Sequence, residues 1–285
     1  MITQVQFESE IQRIITSALR EDIGDGDHTS LACIDSTAQG KAKLLVKDQG
    51  ILAGVDFAKK VFQQVDPSLK ITPLIEDGQF VTFGDIAFYV EGASQSILKS
   101  ERLVLNAMQR MSAIATKTKQ YVDLLKGTNA KILDTRKTTP CIRAIEKWAV
   151  KIGGGENHRF ALYDMIMIKD NHIDFAGGIT QAIEKTKSYL KSTNKNLKII
   201  IEARNLNEVR EIMKSTGIYR ILLDNFDFQS TKEAVELIGD FALTESSGGI
   251  TKSTIRQYGL CGVDYISSGA LTHSVSNLDL SLKAV

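Results

Sequence analysis

Arg136, Lys137, His158, Arg159, Lys169 and His172 fall close together in a chain whose 35 Lys plus Arg nearly balance 34 Asp plus Glu. With a net charge of +1 there is no basic excess of the kind a generic nucleic-acid binder carries. Anion recognition must therefore come from local clustering. The first two cations stand among hydroxyls in Asp134-Thr135-Arg136-Lys137-Thr138-Thr139-Pro140. Adjacent cations beside short hydroxyl donors suit oxyanions, although a solvated basic loop capping a helix near 141–152 has the same composition. Gly153-Gly154-Gly155-Glu156-Asn157-His158-Arg159 follows. A triple Gly lets backbone amides approach a ligand, but it is more often a flexible turn, and an isolated His-Arg pair is more often structural. Lys169 comes directly after the apolar run Met165–Ile168 and leads into Asp170-Asn171-His172, so it is harder to assign to a solvated surface. Two guanidiniums can each bind a carboxylate through paired hydrogen bonds, which suits a planar dicarboxylate better than a single phosphate.

Glu202 and Asp224 close two further apolar runs. Beside so many cations they are either internal salt-bridge partners or a place for Mg²⁺, which takes few protein ligands and keeps substrate phosphates and waters. Glu245-Ser246-Ser247-Gly248-Gly249-Ile250-Thr251 and Ser267-Ser268-Gly269-Ala270-Leu271-Thr272-His273 are Gly-containing turns ahead of helices. Such turns are ready phosphate sites, and the last two loops of an α/β barrel often hold one.

These residues need a scaffold that brings them to one edge. Apolar runs at 130–133, 165–168, 197–201, 219–223, 241–243 and 263–266 alternate with helical segments, which implies βαβ units and a parallel sheet. They end at Asp134, Lys169, Glu202, Asp224, Glu245 and Ser267, the positions that form the C-terminal mouth of a parallel barrel. Six strands rather than eight predict a reduced barrel; an open doubly wound sheet has the same periodicity. Upstream, the pattern predicts a helix over 5–20, an acidic loop over 21–29, strands near 41–47, 69–75 and 86–91, and a helix near 55–65. A long helical stretch over 95–126 is expected to kink or divide near Arg110 to Ser112. The domains expected are an N-terminal α/β layer (1–110), the barrel (111–275) and a tail (276–285) returning to the N-terminal domain.

A chain of 285 residues with 43% hydrophobic and 24% charged residues can bury a substantial core. Cys33, Cys141 and Cys261 are scattered, without a CxxC pair or a His at metal-ligand spacing, so neither a disulfide framework nor structural zinc is expected. The polar start lacks the form of a signal peptide, and no apolar run approaches the roughly 18 residues of a membrane span. A cytoplasmic protein with no membrane or nucleic-acid partner is expected.

Taken together, these segments resemble quinolinate phosphoribosyltransferase, the carboxylating nicotinate-nucleotide pyrophosphorylase family. The matching pieces are Glu21-Asp22-Ile23-Gly24, Glu101-Arg102, Asp134–Pro140, Gly153–Arg159, Ile168–Ile173, Leu222-Leu223-Asp224-Asn225, Ser247-Gly248-Gly249-Ile250 and Gly262–Ser274. The resemblance covers nearly the whole chain. It implies an N-terminal α/β sandwich joined to an incomplete, six-stranded parallel α/β barrel. The implied reaction transfers phosphoribosyl from phosphoribosyl pyrophosphate to quinolinate with decarboxylation, giving nicotinate mononucleotide, pyrophosphate and CO₂ in NAD biosynthesis. Quinolinate would be bound by Thr135, Arg136, His158, Arg159 and Lys169, with Lys137 nearby, and by Arg102 from the partner subunit of a homodimer or a multiple of dimers. Glu202 and Asp224 would face the ribose and Mg²⁺. Ser247, Gly248, Gly249, Ser268, Gly269 and His273 would hold the 5′-phosphate, and Lys137, Lys169, Glu202 and Asp224 would carry the chemistry.

Three positions depart from the family's usual pattern. Ile200 stands where a second Glu is usual, which removes a charge from the face shared with Glu202. Cys141 replaces a Gly, which is tolerable at negative φ. His28 replaces an apolar residue and has no functional explanation from sequence. The competing readings are a paralogue of the same fold acting on another substrate, such as the one associated with molybdenum transport, a Schiff-base lyase using Lys169, and a non-catalytic anion binder.

Overall fold

The computed structural model describes residues 2–285. Helices α1 (Gln4–Ile23) and α2 (His28–Cys33) precede β1 (Gln39–Val46), β2 (Gly50–Ile51), α3 (Val55–Val65), β3 (Lys70–Pro73), β4 (Phe80–Val81), β5 (Ile86–Ala93) and α4 (Ser94–Leu124). Then come β6 (Lys131–Leu133), α5 (Arg143–Ile152), β7 (Ile166–Ile168), α6 (Asp170–Ala176), α7 (Ile179–Ser192), β8 (Ile199–Ala203), α8 (Leu206–Ile212) and β9 (Arg220–Asp224). The chain ends with α9 (Phe228–Ile238), β10 (Leu243–Ser247), α10 (Ile255–Leu260), β11 (Tyr265–Ser267), α11 (Ala270–His273) and β12 (Leu280–Ala284).

Two compact units result, one of residues 120–137 and 155–270, the other of residues 3–119, 138–154 and 271–285. In the second, an antiparallel sheet runs β12-β1-β5-β3. Ala42, Leu44 and Val46 alternate into its core, as a half-buried strand requires. Val55, Ala58, Val61 and Phe62 bury one face of α3, and Phe62 meets Phe88 of β5 edge-on at 6.0 Å. Thr3 opens α1 with a reciprocal capping box involving Gln6. That helix packs its Phe7 against Trp148 of α5, so α5 clusters with this unit although it lies between β6 and β7 in the chain.

Two expectations need correction here. The acidic segment 21–29 is not all loop, because α1 runs to Ile23 and Asp27 caps α2 by accepting from the Ser30 amide. Helix α4 is a single element of 31 residues with no break at Arg110 to Ser112. It contains neither Gly nor Pro, and the central side chains Met108, Met111, Ser112 and Ile114 are all buried; without a breaker, the helix has no reason to divide.

The other unit is a six-stranded parallel sheet in the order β6-β11-β10-β9-β8-β7. This is a cyclic order, interrupted only between β6 and β7, as in a barrel opened along one seam. A doubly wound sheet would instead reverse its order at an interior strand. Beside β6 at the seam, Glu156 forms an isolated parallel bridge to Leu133.

Candidate active site

Strand register determines which side chains share a face. Ile168 pairs with Ile201 and Glu202 with Leu222, so Lys169, one residue past β7, stands level with Glu202. Asp224 pairs with Ser247. Ser246 pairs with Ile266, which brings Ser267 level with Ser247. Because parallel partners point the same way and period-2 neighbours share a face, Lys169, Glu202, Asp224, Ser247 and Ser267 line one face at the strands' C-terminal ends. The Lys169 ammonium donates to Glu202 Oε1 at 2.6 Å. Lys169 is thus a member of an ion pair. Asp224 accepts from Asn225 Nδ2 at 2.9 Å.

The His158-Arg159 pair owes its place to Asp134. That carboxylate is fully buried and accepts from the His158 amide at 2.8 Å and from Asn157 Nδ2 at 2.6 Å, which ties down the otherwise pliable Gly153–Arg159 segment. Both His158 and Arg159 are buried. Arg159 donates through Nη1 to the Met165 carbonyl. Burial and then the charge of Arg136 push its guanidinium below the ordinary range, while Asp164 and Glu202 oppose that. Arg159 therefore feels the charges of both Arg136 and Glu202. Arg136 and Lys137 are exposed on the loop after β6 and Thr135 is half-buried, its hydroxyl accepting from the Lys137 amide.

Glu245 departs from expectation. Sequence places it at the rim, but it lies in mid-strand in β10 with no exposed surface. Its Oε2 accepts from Arg220 Nη1 at 2.6 Å and lies 3.4 Å from His158 Nε2. Burial alone would raise its pKa; His158, Arg220 and Ser267 together bring it down to about 2. Arg220 in turn stacks on Tyr265, its guanidinium 3.9 Å from the ring centre. Neither Arg220 nor the burial of Glu245 was foreseen, although an Arg inside Tyr219-Arg220-Ile221-Leu222-Leu223 is a legible oddity: a charge within a buried strand must find its counter-charge. Ile200 pairs with Arg220 in register and is wholly buried. The charge missing at position 200 therefore leaves Arg220 matched by Glu245.

Past β10, Gly248 and Gly249 take φ of 95° and 58°, a region costly for residues with a Cβ. At Gly248 a Cβ would also lie 2.6 Å from Asn225 Cγ and 2.8 Å from the Asn225 amide nitrogen. Ser268 is buried, its amide donating to the Leu133 carbonyl at 3.1 Å. His172 caps its own helix, accepting from the Lys169 amide through Nδ1. Arg102, exposed on α4, and His273, exposed beside Ser274, belong to the other unit. Cys141 has φ of 67°, not the negative value expected; its carbonyl accepts from Arg13 Nη2 at 2.9 Å, which helps hold the turn. His28 is exposed, 3.4 Å from Asp25.

A family described as quinolinate phosphoribosyl transferase, N-terminal domain, matches residues 27–112, and its C-terminal domain matches residues 114–283. The chain is 45% identical over 289 residues to the chloroplastic nicotinate-nucleotide pyrophosphorylase [carboxylating] of Oryza sativa subsp. japonica, covering 96% of this chain and 77% of that protein. It is 38% identical to a probable nicotinate-nucleotide pyrophosphorylase [carboxylating] of Bacillus subtilis, with 96% and 93% covered. The crystal structure of NadC from Streptococcus pyogenes superposes with a TM-score of 0.90 at 36% identity, covering 100% of this chain and 99% of that one.

Proposed function

Since the chain belongs to the quinolinate phosphoribosyltransferase family, we propose that the C-terminal rim of its barrel is where that family's reaction takes place. The enzyme transfers phosphoribosyl from phosphoribosyl pyrophosphate to quinolinate and releases CO₂ and pyrophosphate, forming nicotinate mononucleotide for NAD biosynthesis. The observation that carries the site assignment is the adjacency of Lys169 to Glu202, with Arg159 electrostatically coupled to Glu202. Cations for a dicarboxylate thus stand beside a carboxylate suited to a cationic ribose.

Thr135, Arg136, His158, Arg159 and Lys169, with Lys137 nearby, bind and orient quinolinate. Its ring nitrogen attacks ribose C1 as pyrophosphate departs, and Glu202 and Asp224 stabilise the positive charge developing on the sugar. The pyridinium product draws electrons from the adjacent carboxylate carbon, so the C–C bond breaks, CO₂ leaves, and the ring carbon is protonated. Ser247, Gly248, Gly249, Ser268 and Gly269 hold the 5′-phosphate. Among the described residues no three His, Cys, Asp or Glu side chains form a metal-holding group. A magnesium ion brought in on the substrate's phosphates needs only one or two carboxylates, and Asp224 with Glu202 fits that demand. When bound, such an ion supplies charge neutralisation at the departing pyrophosphate.

The working form is a homodimer, or a multiple of dimers, in which Arg102 of one copy reaches the quinolinate of its partner; the exposure of Arg102 on α4 supports this. No helix among the described residues is long and apolar enough to cross a membrane. The three unpaired cysteines suit the cytoplasm, whereas the rice relative is named as chloroplastic.

Incubation with quinolinate, phosphoribosyl pyrophosphate and Mg²⁺ should yield CO₂ and nicotinate mononucleotide, while nicotinate in place of quinolinate should yield neither. Arg136→Ala should abolish quinolinate binding and leave most of the affinity for phosphoribosyl pyrophosphate. Equal loss of both ligands would refute the division of the rim into a dicarboxylate clamp and a phosphate cradle.

A further inference from the structure

Arg159 opens a segment that apolar packing alone does not hold. Residues 160–165 form a run of bends leading into β7, and in a single copy of the chain Leu162 is 66% and Tyr163 57% exposed. With so little apolar surface buried, order there must come from polar contacts. Those contacts converge on Asp164. Its Oδ2 accepts from the Phe160 amide and its Oδ1 from the Ala161 amide, each at 2.9 Å. The next residue, Met165, accepts through its carbonyl from Arg159 Nη1 at 3.1 Å. The backbone just after Arg159 is thus tied to Asp164, and the Arg159 side chain is tied to the backbone just after Asp164. Both contacts close the same short loop, so the guanidinium is held from its root and from its far end. On the other side of Arg159, Asp134 holds the His158 amide at 2.8 Å.

We propose that Asp164 is a positioning residue for quinolinate recognition: by gripping the amides of Phe160 and Ala161 it closes the loop that aims the Arg159 guanidinium. The proposal rests on the assignment of Arg159 to the quinolinate clamp. Position and charge act in opposite directions here. Asp164 is close enough for Arg159 to feel its negative charge, and that same charge repels a dianionic substrate. A carboxylate so near an anion-binding group is useful only if its geometric effect outweighs the repulsion. That effect is preorganisation. A loop ordered before substrate arrives loses less freedom on binding, and paired hydrogen bonds to a carboxylate demand a well-aimed guanidinium. Two adjacent amides also need two acceptor atoms. A carboxylate supplies both, whereas the NH₂ of an Asn would face one amide donor to donor.

The test is Asp164→Asn, nearly unchanged in shape, beside Asp164→Ala, followed by steady-state kinetics and amide hydrogen exchange on the whole protein. Both variants should raise the KM for quinolinate, about tenfold for Asn, which loses one charge-assisted hydrogen bond, and further for Ala. The kcat and the KM for phosphoribosyl pyrophosphate should stay within about twofold of wild type. A role through charge alone predicts the opposite sign, because removing an anion beside the clamp would lower the KM for quinolinate. A lowered or unchanged quinolinate KM in the folded variants overturns the proposal, and so does an equal rise in both KM values. The Phe160 and Ala161 amides should exchange about tenfold faster or more in Asp164→Ala than in the wild type. Unprotected exchange of those two amides in the wild type overturns the proposal, whether or not either variant folds. If the wild type makes no nicotinate mononucleotide, the reaction assignment has failed; equilibrium titration of the same proteins with quinolinate, together with the exchange rates, then decides the role of Asp164.

Discussion

Gly248→Ala tests the phosphate cradle through geometry alone. The new methyl would lie 2.6 Å from Asn225 Cγ and 2.8 Å from the Asn225 amide nitrogen, at a φ of 95°. Holding a non-Gly residue at such a φ costs about 1–3 kcal/mol, and overpacking adds about 1–3 kcal/mol, so a destabilisation of roughly 2–6 kcal/mol is expected. Asn225 cannot simply retreat, because its amide donates to the Ser247 carbonyl at 2.9 Å and its side chain to Asp224. The displacement therefore passes to Asp224, and the KM for phosphoribosyl pyrophosphate should rise by about tenfold or more. Asn225→Gly is the diagnostic partner. It removes the Cγ contact, suits φ of 55°, and costs about 1 kcal/mol for the hydrogen bond to Asp224. Urea denaturation of both single variants and the double should show the double more stable than the sum predicts by about 1 kcal/mol. The reasoning fails if the two effects simply add, or if Gly248→Ala melts and binds like the wild type.

Two further outcomes are expected. Cys141→Gly should raise stability by about 0.5–1 kcal/mol, because the relief of a left-handed Cys exceeds the extra unfolded-state entropy of Gly; a lower urea midpoint would contradict this. The Glu245 carboxyl is held at about 2 when folded against an ordinary 4.5, so its stabilisation is complete above the ordinary value and is lost as pH falls from there toward the folded value. At about 1.4 kcal/mol per pH unit this amounts to about 3 kcal/mol. Unfolding free energy should therefore fall more steeply below pH 4.5 in the wild type than in Glu245→Gln, and equal slopes would refute the assignment.

Local rules reach far in this chain, and they fail where distant residues decide. Helix α3 is legible because Val55, Ala58 and Phe62 repeat at helical spacing, and the barrel strands because Ile199–Ile201 and Ile221–Leu223 are apolar runs of strand length. The rim is legible as well, since a polar residue ending each run marks the same end of every parallel strand. Strand β10 misleads because only Leu243 in Leu243-Thr244-Glu245-Ser246-Ser247 is apolar. Thr244 and Glu245 are buried because Asp264 and Arg220 partner them, with Thr244 bonded to the Asp264 carboxylate at 2.8 Å, and those partners lie about twenty residues away or more in sequence. Similarly, α5 has the pattern of any barrel helix, and its Trp148 meets Phe7 only in the folded chain. The backbone at Cys141 is invisible to sequence, because Cys announces no preference for positive φ, whereas Asn225 at 55° is a type that tolerates it.

A nearly neutral chain can maintain a cationic rim only by keeping its acids where substrate will need them. The Lys169 ammonium is occupied by Glu202 at 2.6 Å. On the proposed assignment, a carboxylate of quinolinate entering the clamp would compete with Glu202 for that ammonium. The ion pair weakens ground-state binding, since part of the attraction between Lys169 and substrate goes to replacing an existing partner. What that exchange gains comes later. In that proposal Glu202, relieved of Lys169, would offer its charge, on the face it shares with Asp224, to a sugar that becomes cationic only as pyrophosphate leaves. A charge that is neutralised in the resting site and exposed by substrate binding favours the transition state over the bound ground state. The closeness of cation and carboxylate at this rim is therefore the property that, on the proposed assignment, would let one small site bind a dianion and then stabilise a cation.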